Sequence, residues 1–306
     1  MEEYRIYRKP DLKDPVMVAG WPGMGSVALG MVDYLRRKLK AVRFAEIKID
    51  PMLVLDSVEV SNGISRLPRP PVSVFYYSND PDIVIFEGEV QLAGLEGLRM
   101  LNKVLEVARE LNVKRIYTGA AFPLPIGYKD NPEVYGVVNK EHLRDTMVSN
   151  GVKLMEGGHI SGLNGLLLAF AAKKNIEAMC LLATMPQYAI SLPNPKASSA
   201  IIGVLCRMLG VRIDLNEISD YIKEMEESMA LIEDKVKDVF TVEEESQEAH
   251  PHDNKIPAYI MEKIEKLFTE ASRDRTKAPH LKKELDRWNL YKKYEDRFLD
   301  LFKNNQ

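Results

Sequence analysis

Short apolar runs alternate with amphipathic helical stretches from Val16 to about residue 240, and this alternation limits the chain to one broad architecture. A strand followed by a helix and another strand rejoins its sheet in parallel only through a crossover. Helices then cover both faces, so an α/β fold is expected: a three-layer sandwich around a mostly parallel sheet. Val16–Ala19 reads as a strand and Ser26–Leu39 as a helix, with Val27, Met31, Tyr34 and Leu35 on one face. Phe44–Ile49 reads as a strand. Val72–Tyr77 and Ile83–Phe86 read as a strand pair around the turn signal Asn79-Asp-Pro81. Leu95–Leu111 is a helix. Arg115–Thr118 is a short strand ending in the loop Gly119–Pro123, Val134–Val138 a strand and Lys140–Ser149 a helix. Gly162–Lys173 is an apolar helix with Ser161 as its N-cap, and Ala178–Ala183 a buried strand. Helices over Lys196–Leu209 and from Asn216 to about Val239 complete this body.

All 18 glycines lie at or before Gly210, and from Glu243 onward charge of both signs dominates. The expected division is an α/β body over 1–240, a charged linker over 241–255 containing His250 and His252, and an amphipathic helical region over 256–306. In that last region Ile260, Ile264 and Leu267 mark one helix. Leu281, Leu285, Trp288, Leu290, Tyr291, Phe298, Leu301 and Phe302 mark a second, and both carry apolar surface to dock on the body or a neighbouring subunit. A formal net charge of −3 offers no cationic excess, so no nucleic-acid partner is expected. The longest apolar stretch, Leu166–Ala172, is far short of the ~20 residues of a membrane span. Two unpatterned cysteines and an N-terminus with no apolar signal core place the expected location in the cytoplasm.

Two glycine-rich loops invite a chemical reading. Gly20-x-x-x-x-Gly25 has phosphate-loop spacing, but Ser26 and Val27 stand where the lysine and the magnesium-binding hydroxyl belong. Gly23-x-Gly25-x-x-Ala28 fits a dinucleotide fingerprint nominally, yet Trp21 and Pro22 separate the strand from its first glycine. The favoured reading is a close turn with tight helix–sheet packing. The second loop, Gly157–Gly165, carries His159, Ser161 and Asn164 without nucleophile-elbow spacing. Glu87, Glu89 and Gln91 follow one strand and Thr184 another, at the carboxyl ends where open α/β sheets place their sites. The pocket candidates are therefore Gly20, Gly23, Gly25, Glu87, Glu89, Gln91, His159, Ser161, Asn164 and Thr184. No catalytic set is assigned, the five histidines lack metal-binding spacing, and no cofactor is expected.

These segments together resemble the proteasome assembly chaperone 2 family in its archaeal and bacterial branch. The resemblance rests on Val18–Ala28, Gly88–Gln91, Gly158–Leu167, Leu181–Pro186, Leu192–Ser198 and Leu209–Asp214, in that order across about residues 14–230. It implies a phosphorylase/hydrolase-like α/β sandwich with no established catalytic constellation. It also implies self-association as homo-oligomers and α-type proteasome subunits as partners. Some relatives engage the proteasome through a C-terminal hydrophobic–tyrosine–any-residue tail. This chain reads Leu301-Phe-Lys-Asn-Asn-Gln306, without that tyrosine, so tail docking is not expected. Sequences of this kind are sometimes labelled ATP-grasp, a label that no lysine-bearing loop or metal set here supports. The expected function is a non-enzymatic, chaperone-like scaffold. The alternative is an enzyme or small-molecule sensor holding a nucleotide-like ligand in the loops at the sheet's carboxyl end.

Overall fold

A computed structural model describes residues 3–50, 53–54, 57–230, 258–273, 277–287 and 290–302. Its contacts divide the chain into two units, Met1–Lys237 and Asp238–Gln306. The first is built on a nine-stranded sheet of β1 (Glu3–Ile6), β2 (Val16–Gly20), β3 (Val42–Lys48), β6 (Val72–Asn79), β7 (Asp82–Glu87), β8 (Arg115–Leu124), β9 (Val134–Val138), β10 (Lys153–Leu154) and β11 (Glu177–Pro186). Their order is β1-β3-β6-β7-β2-β8-β11-β9-β10. The central strands β7, β2, β8 and β11 are mutually parallel, and antiparallel pairings flank them on either side. β4 (Glu59–Ser61) and β5 (Ile64–Arg66) form a separate two-stranded hairpin.

Alternation along the central strands divides their side chains between two cores. Met17 and Ala19 of β2, Val84 and Phe86 of β7, and Cys180 and Leu182 of β11 meet Leu101, Val104 and Leu105 of α2 (Gly94–Glu110) and Leu167 and Ala171 of α4 (Leu163–Lys173). Val18, Ile83, Ile85, Met179 and Leu181 point the other way. They meet Val27, Met31 and Leu35 of α1 (Val27–Lys38), Leu143 and Met147 of α3 (Leu143–Ser149), and Ile201 and Leu205 of α5 (Pro195–Leu209). A period of two sends successive residues to opposite faces. β11 therefore reads as an unbroken apolar run, because each of its faces is covered. Each fully buried aliphatic side chain contributes about 1.5–3 kcal/mol before entropy is counted.

Local chemistry sets the helix ends. Asn194 accepts the Ala197 N–H at 2.9 Å, Pro195 occupies the first turn, and Gly210 closes α5 at φ 66°. Arg36, Arg37 and Lys38 sit in the last turn of α1, where the exposed carbonyls favour cations. α6 is helical over 216–230. The expected end of that helix at Val239, the linker over 241–255 and Trp288 lie outside the described residues.

Several expectations need correction. β8 does not stop at Thr118 but continues through Gly119 to Leu124, paired with β11 throughout. β2 leaves it after the Ala19–Thr118 pair, so Pro123 has no second neighbour that requires its missing N–H. The helix expected from Lys140 begins at Leu143. Of the apolar positions expected on one helix after Pro279, Leu281 and Leu285 lie in α8 (Ala278–Arg287) and Tyr291 and Phe298 in α9 (Tyr291–Asp300), two separate helices. With α7 (Ala258–Arg273) they bury Ile264, Phe268, Ala271, Leu281, Leu285 and Phe298 against one another. Their apolar faces thus close a small core of their own. Arg297 also pairs with Glu265 at 2.7 Å, joining α9 to α7.

Leu281 is fully buried in that small core, and Leu281→Ala should cost it about 2–4 kcal/mol. Hydrogen exchange on the full chain is expected to show faster deuterium uptake across 258–302 and unchanged protection across the central strands.

Candidate functional site

The four parallel strands bring their carboxyl ends to one edge, at Gly20, Glu87, Leu124 and Pro186. The loop after β2 is shaped by close approach. A Cβ at Gly20 would lie 2.7 Å from the Ala28 carbonyl oxygen, so glycine lets α1 pack against β2. Gly25 sits at φ 63°, and its N–H and C=O are held by the Ile190 carbonyl at 2.8 Å and the Asn194 N–H at 2.7 Å. A side chain there would also meet the Met185 sulfur at 2.7 Å. Gly23 differs: it is extended, at φ −171° and ψ −174°, and a Cβ would meet only Asn164 Nδ2, at 3.8 Å.

Trp21, between these glycines, is fully buried with its ring 4.9 Å from that of Phe86. Gly88 leaves room for the indole edge, and its N–H donates to the Gly20 carbonyl at 2.8 Å. The Trp21 backbone is clamped by a side chain 143 residues away. Its N–H donates to Asn164 Oδ1 at 2.9 Å, and Asn164 Nδ2 donates to its carbonyl at 3.1 Å. Thr118 Oγ1 donates to the same Oδ1 at 3.3 Å. The Trp21 Nε1–H is buried with no partner among the described residues. Such an orphan donor costs about 1–3 kcal/mol, which the ring's apolar contacts must offset. Neither Trp21 nor this clamp was singled out by sequence reasoning, since no local pattern links two backbone groups to so distant an amide.

Five of the ten candidates meet. Gly23, Gln91, His159, Ser161 and Asn164 line a hollow of about 240 Å³ together with Phe122 and Met155. Ser161 is not the cap of α4. The chain enters that helix through Gly162 at φ 79°, and Gln91 Oε1 accepts the Leu163 N–H at 3.3 Å in the role expected of Ser161. Ser161 and His159 are left exposed, with no hydrogen bond to another described residue.

The other candidates are committed elsewhere. Glu87 pairs with Arg36 at 2.9 Å, and Arg36 also holds Asp33 and lies 5.1 Å from the Tyr76 ring centre. Burial pushes the Glu87 carboxyl above the ordinary carboxylate range, and the Arg36 guanidinium pulls it back. Glu89 pairs with Arg69 and accepts the Val72 N–H. The two carboxylates do flank one hollow, of about 410 Å³, but each meets it already neutralised by an arginine. Thr184 is buried and accepts the Glu133 N–H at 2.9 Å, fastening the approach to β9. Gly20 and Gly25 shape the turn. No group of three or more His, Cys, Asp or Glu able to hold a metal occurs among the described residues. No described helix is long and apolar enough to cross a membrane.

A family model described as the PAC2 family matches residues 17–233. An uncharacterized protein of Methanocaldococcus jannaschii is 23% identical over 223 residues, covering 71% of this chain and 82% of that one. Among solved structures, Pyrococcus furiosus PbaB, described as an archaeal proteasome activator, superposes with a TM-score of 0.65 at 26% identity. That match covers 76% of this chain and 98% of PbaB. P. furiosus PbaA, described as an archaeal homolog of proteasome-assembly chaperone, gives a TM-score of 0.61 at 20% identity over 78% and 99% of the two chains. A Mycobacterium tuberculosis proteasome-assembly chaperone homologue gives 0.59 at 20% identity over 70% and 94%. At that identity the last two show the shared fold.

Asn164→Ala strands a buried N–H and C=O of Trp21 and should lower stability by about 2–5 kcal/mol, read as a fall in the urea midpoint. Glu87 is expected to hold its proton to higher pH in the native state than in the unfolded chain. Its stabilising contribution is then present below the unfolded carboxylate range and lost as pH rises through the native value. Urea titrations should therefore show wild type gaining stability relative to Glu87→Gln as pH is lowered from neutral into the ordinary carboxylate range.

Proposed function

The chain belongs to the PAC2 family, and on that premise we propose that it is a non-enzymatic, assembly-chaperone-like scaffold that self-associates and binds α-type proteasome subunits. The observation that carries this reading is the hairpin β4–β5. Val58, Val60, Ile64 and Leu67 are each more than half exposed there, and none joins a core cluster. An isolated two-stranded hairpin is marginal in water, and its open edges are templates for an incoming strand. Apolar side chains held out on such an arm favour a protein surface over a small substrate.

The carboxyl edge of the sheet supports the same reading. Glu87, Glu89 and Thr184 hold the protein's own arginines or backbone, so a substrate would have to break fold contacts to engage them. The names of PbaA and PbaB, which mention the proteasome, support a proteasome-related partner by likeness, and the α-type subunits are this proposal's own choice within that class. In this reading the α/β body over 1–240 carries the binding surface, the stretch over 241–255 is a linker, and the helical region over 256–306 is an accessory.

Native mass spectrometry of the full chain, alone and mixed with purified α-type subunits of the same host, tests the proposal. The expected result is a homo-oligomer above the 34.8 kDa chain mass and a complex of defined stoichiometry with the subunits. The double variant Val60→Asp/Ile64→Asp should weaken both by about tenfold or more while leaving the melting transition in place. A monomer that forms no complex at about 10 µM of each protein overturns the reading.

A further inference from the structure

The hollow beside Asn164 has features that protein docking does not use. It measures about 240 Å³, below the ~300 Å³ at which drug-sized pockets begin. Its lining holds no lysine, arginine, aspartate or glutamate. A phosphate or carboxylate entering here would leave water without meeting a guanidinium or ammonium group, a cost that disfavours ionic ligands.

Asn164 supplies a directional group. Its Oδ1 is occupied by the Trp21 N–H and the Thr118 hydroxyl, which also fixes the orientation of the amide. Its Nδ2 gives one hydrogen to the Trp21 carbonyl. A primary amide has two N–H donors, and the second finds no acceptor among the described residues. The side chain is 5% exposed and lines the hollow, so water can serve that donor only from within it. Phe122 lines the same hollow, its ring held in a T-shaped contact with that of Tyr135 at 5.1 Å and 84°. Ser161 and His159 stand at the rim, free to hydrogen-bond.

Gly23 adds an independent sign. Neither its backbone angles nor its neighbours require glycine, unlike Gly20 and Gly25. What glycine does provide is space, because a longer side chain at this position would grow toward Asn164 and fill the hollow.

We propose that this hollow binds a small uncharged heteroaromatic ring bearing a carbonyl or carboxamide oxygen, which accepts the free Asn164 N–H while the ring packs on Phe122. No residue of the hairpin lines the hollow, so loss of ligand binding and loss of partner binding can be read apart.

Saturation-transfer NMR on the full chain with uracil, hypoxanthine and nicotinamide as probes, and uridine monophosphate as the charged comparison, tests this. At least one neutral probe is expected to bind with a Kd between about 10 µM and 1 mM, the range open to ligands of so few atoms. Uridine monophosphate should bind no tighter than uracil. Gly23→Leu should weaken the bound probe at least tenfold with an unchanged circular dichroism melt, while Gly23→Ala retains it. Should Gly23→Leu fail to fold, Phe122→Ala is expected to show the same loss. Absence of transfer from all three neutral probes overturns the proposal. So does tighter binding of the nucleotide, or binding indifferent to the folded plugging variant.

Discussion

One buried amide fastens the two glycine-rich loops of this chain together. Asn164 takes the N–H and gives to the C=O of Trp21, joining the exit of β2 to the first turn of α4. Much of the local structure follows from it. With its backbone pinned, the indole lies on Phe86 and its edge passes over Gly88. Gly88 in turn bonds back to Gly20, so the ends of β2 and β7 are fixed in common. Thr118 on β8 completes the arrangement, and three parallel strands are thereby referred to a single side chain. Since an unsatisfied backbone group in the interior costs more than an average hydrogen bond contributes, the clamp specifies the loop more strongly than its number of bonds suggests.

The parts of the fold that depend on local pattern were legible in the sequence. The apolar run Val16–Ala19 and the helical stretch Leu95–Leu111 are assigned from their own residues, without reference to the rest of the chain. Contacts between distant residues were not legible. Ser161 has the chemistry of a cap, but Gln91 arrives from another loop and performs the role. Glu87 and Glu89 do lie at a carboxyl edge, as their place after an apolar strand suggests. Their arginines come from α1 and from residue 69, and with them a candidate acid pair becomes two ordinary ion pairs. β1 and β10 escaped notice because they are short edge strands with little apolar periodicity. Pro123 concealed half of β8, since a proline reads as a strand end although it is tolerated where β2 has already left that edge of the strand.

The glycines of the first loop show why a motif is an uncertain guide to chemistry. Gly20 is required by an approaching helix and Gly25 by its backbone angles, while Gly23 is required by neither. All three contribute equally to a pattern match, although they answer to different forces. Reading each against its neighbours separates the residues that make the turn from the one that keeps space beside it.

The C-terminal helices close on a core of Leu281, Leu285, Phe268 and their neighbours, and the family match ends at residue 233. A region that buries its own apolar side chains needs no second surface to cover them. Because α7, α8 and α9 share that one core, removing any of the three would open it to water, and the helices stand or fall together.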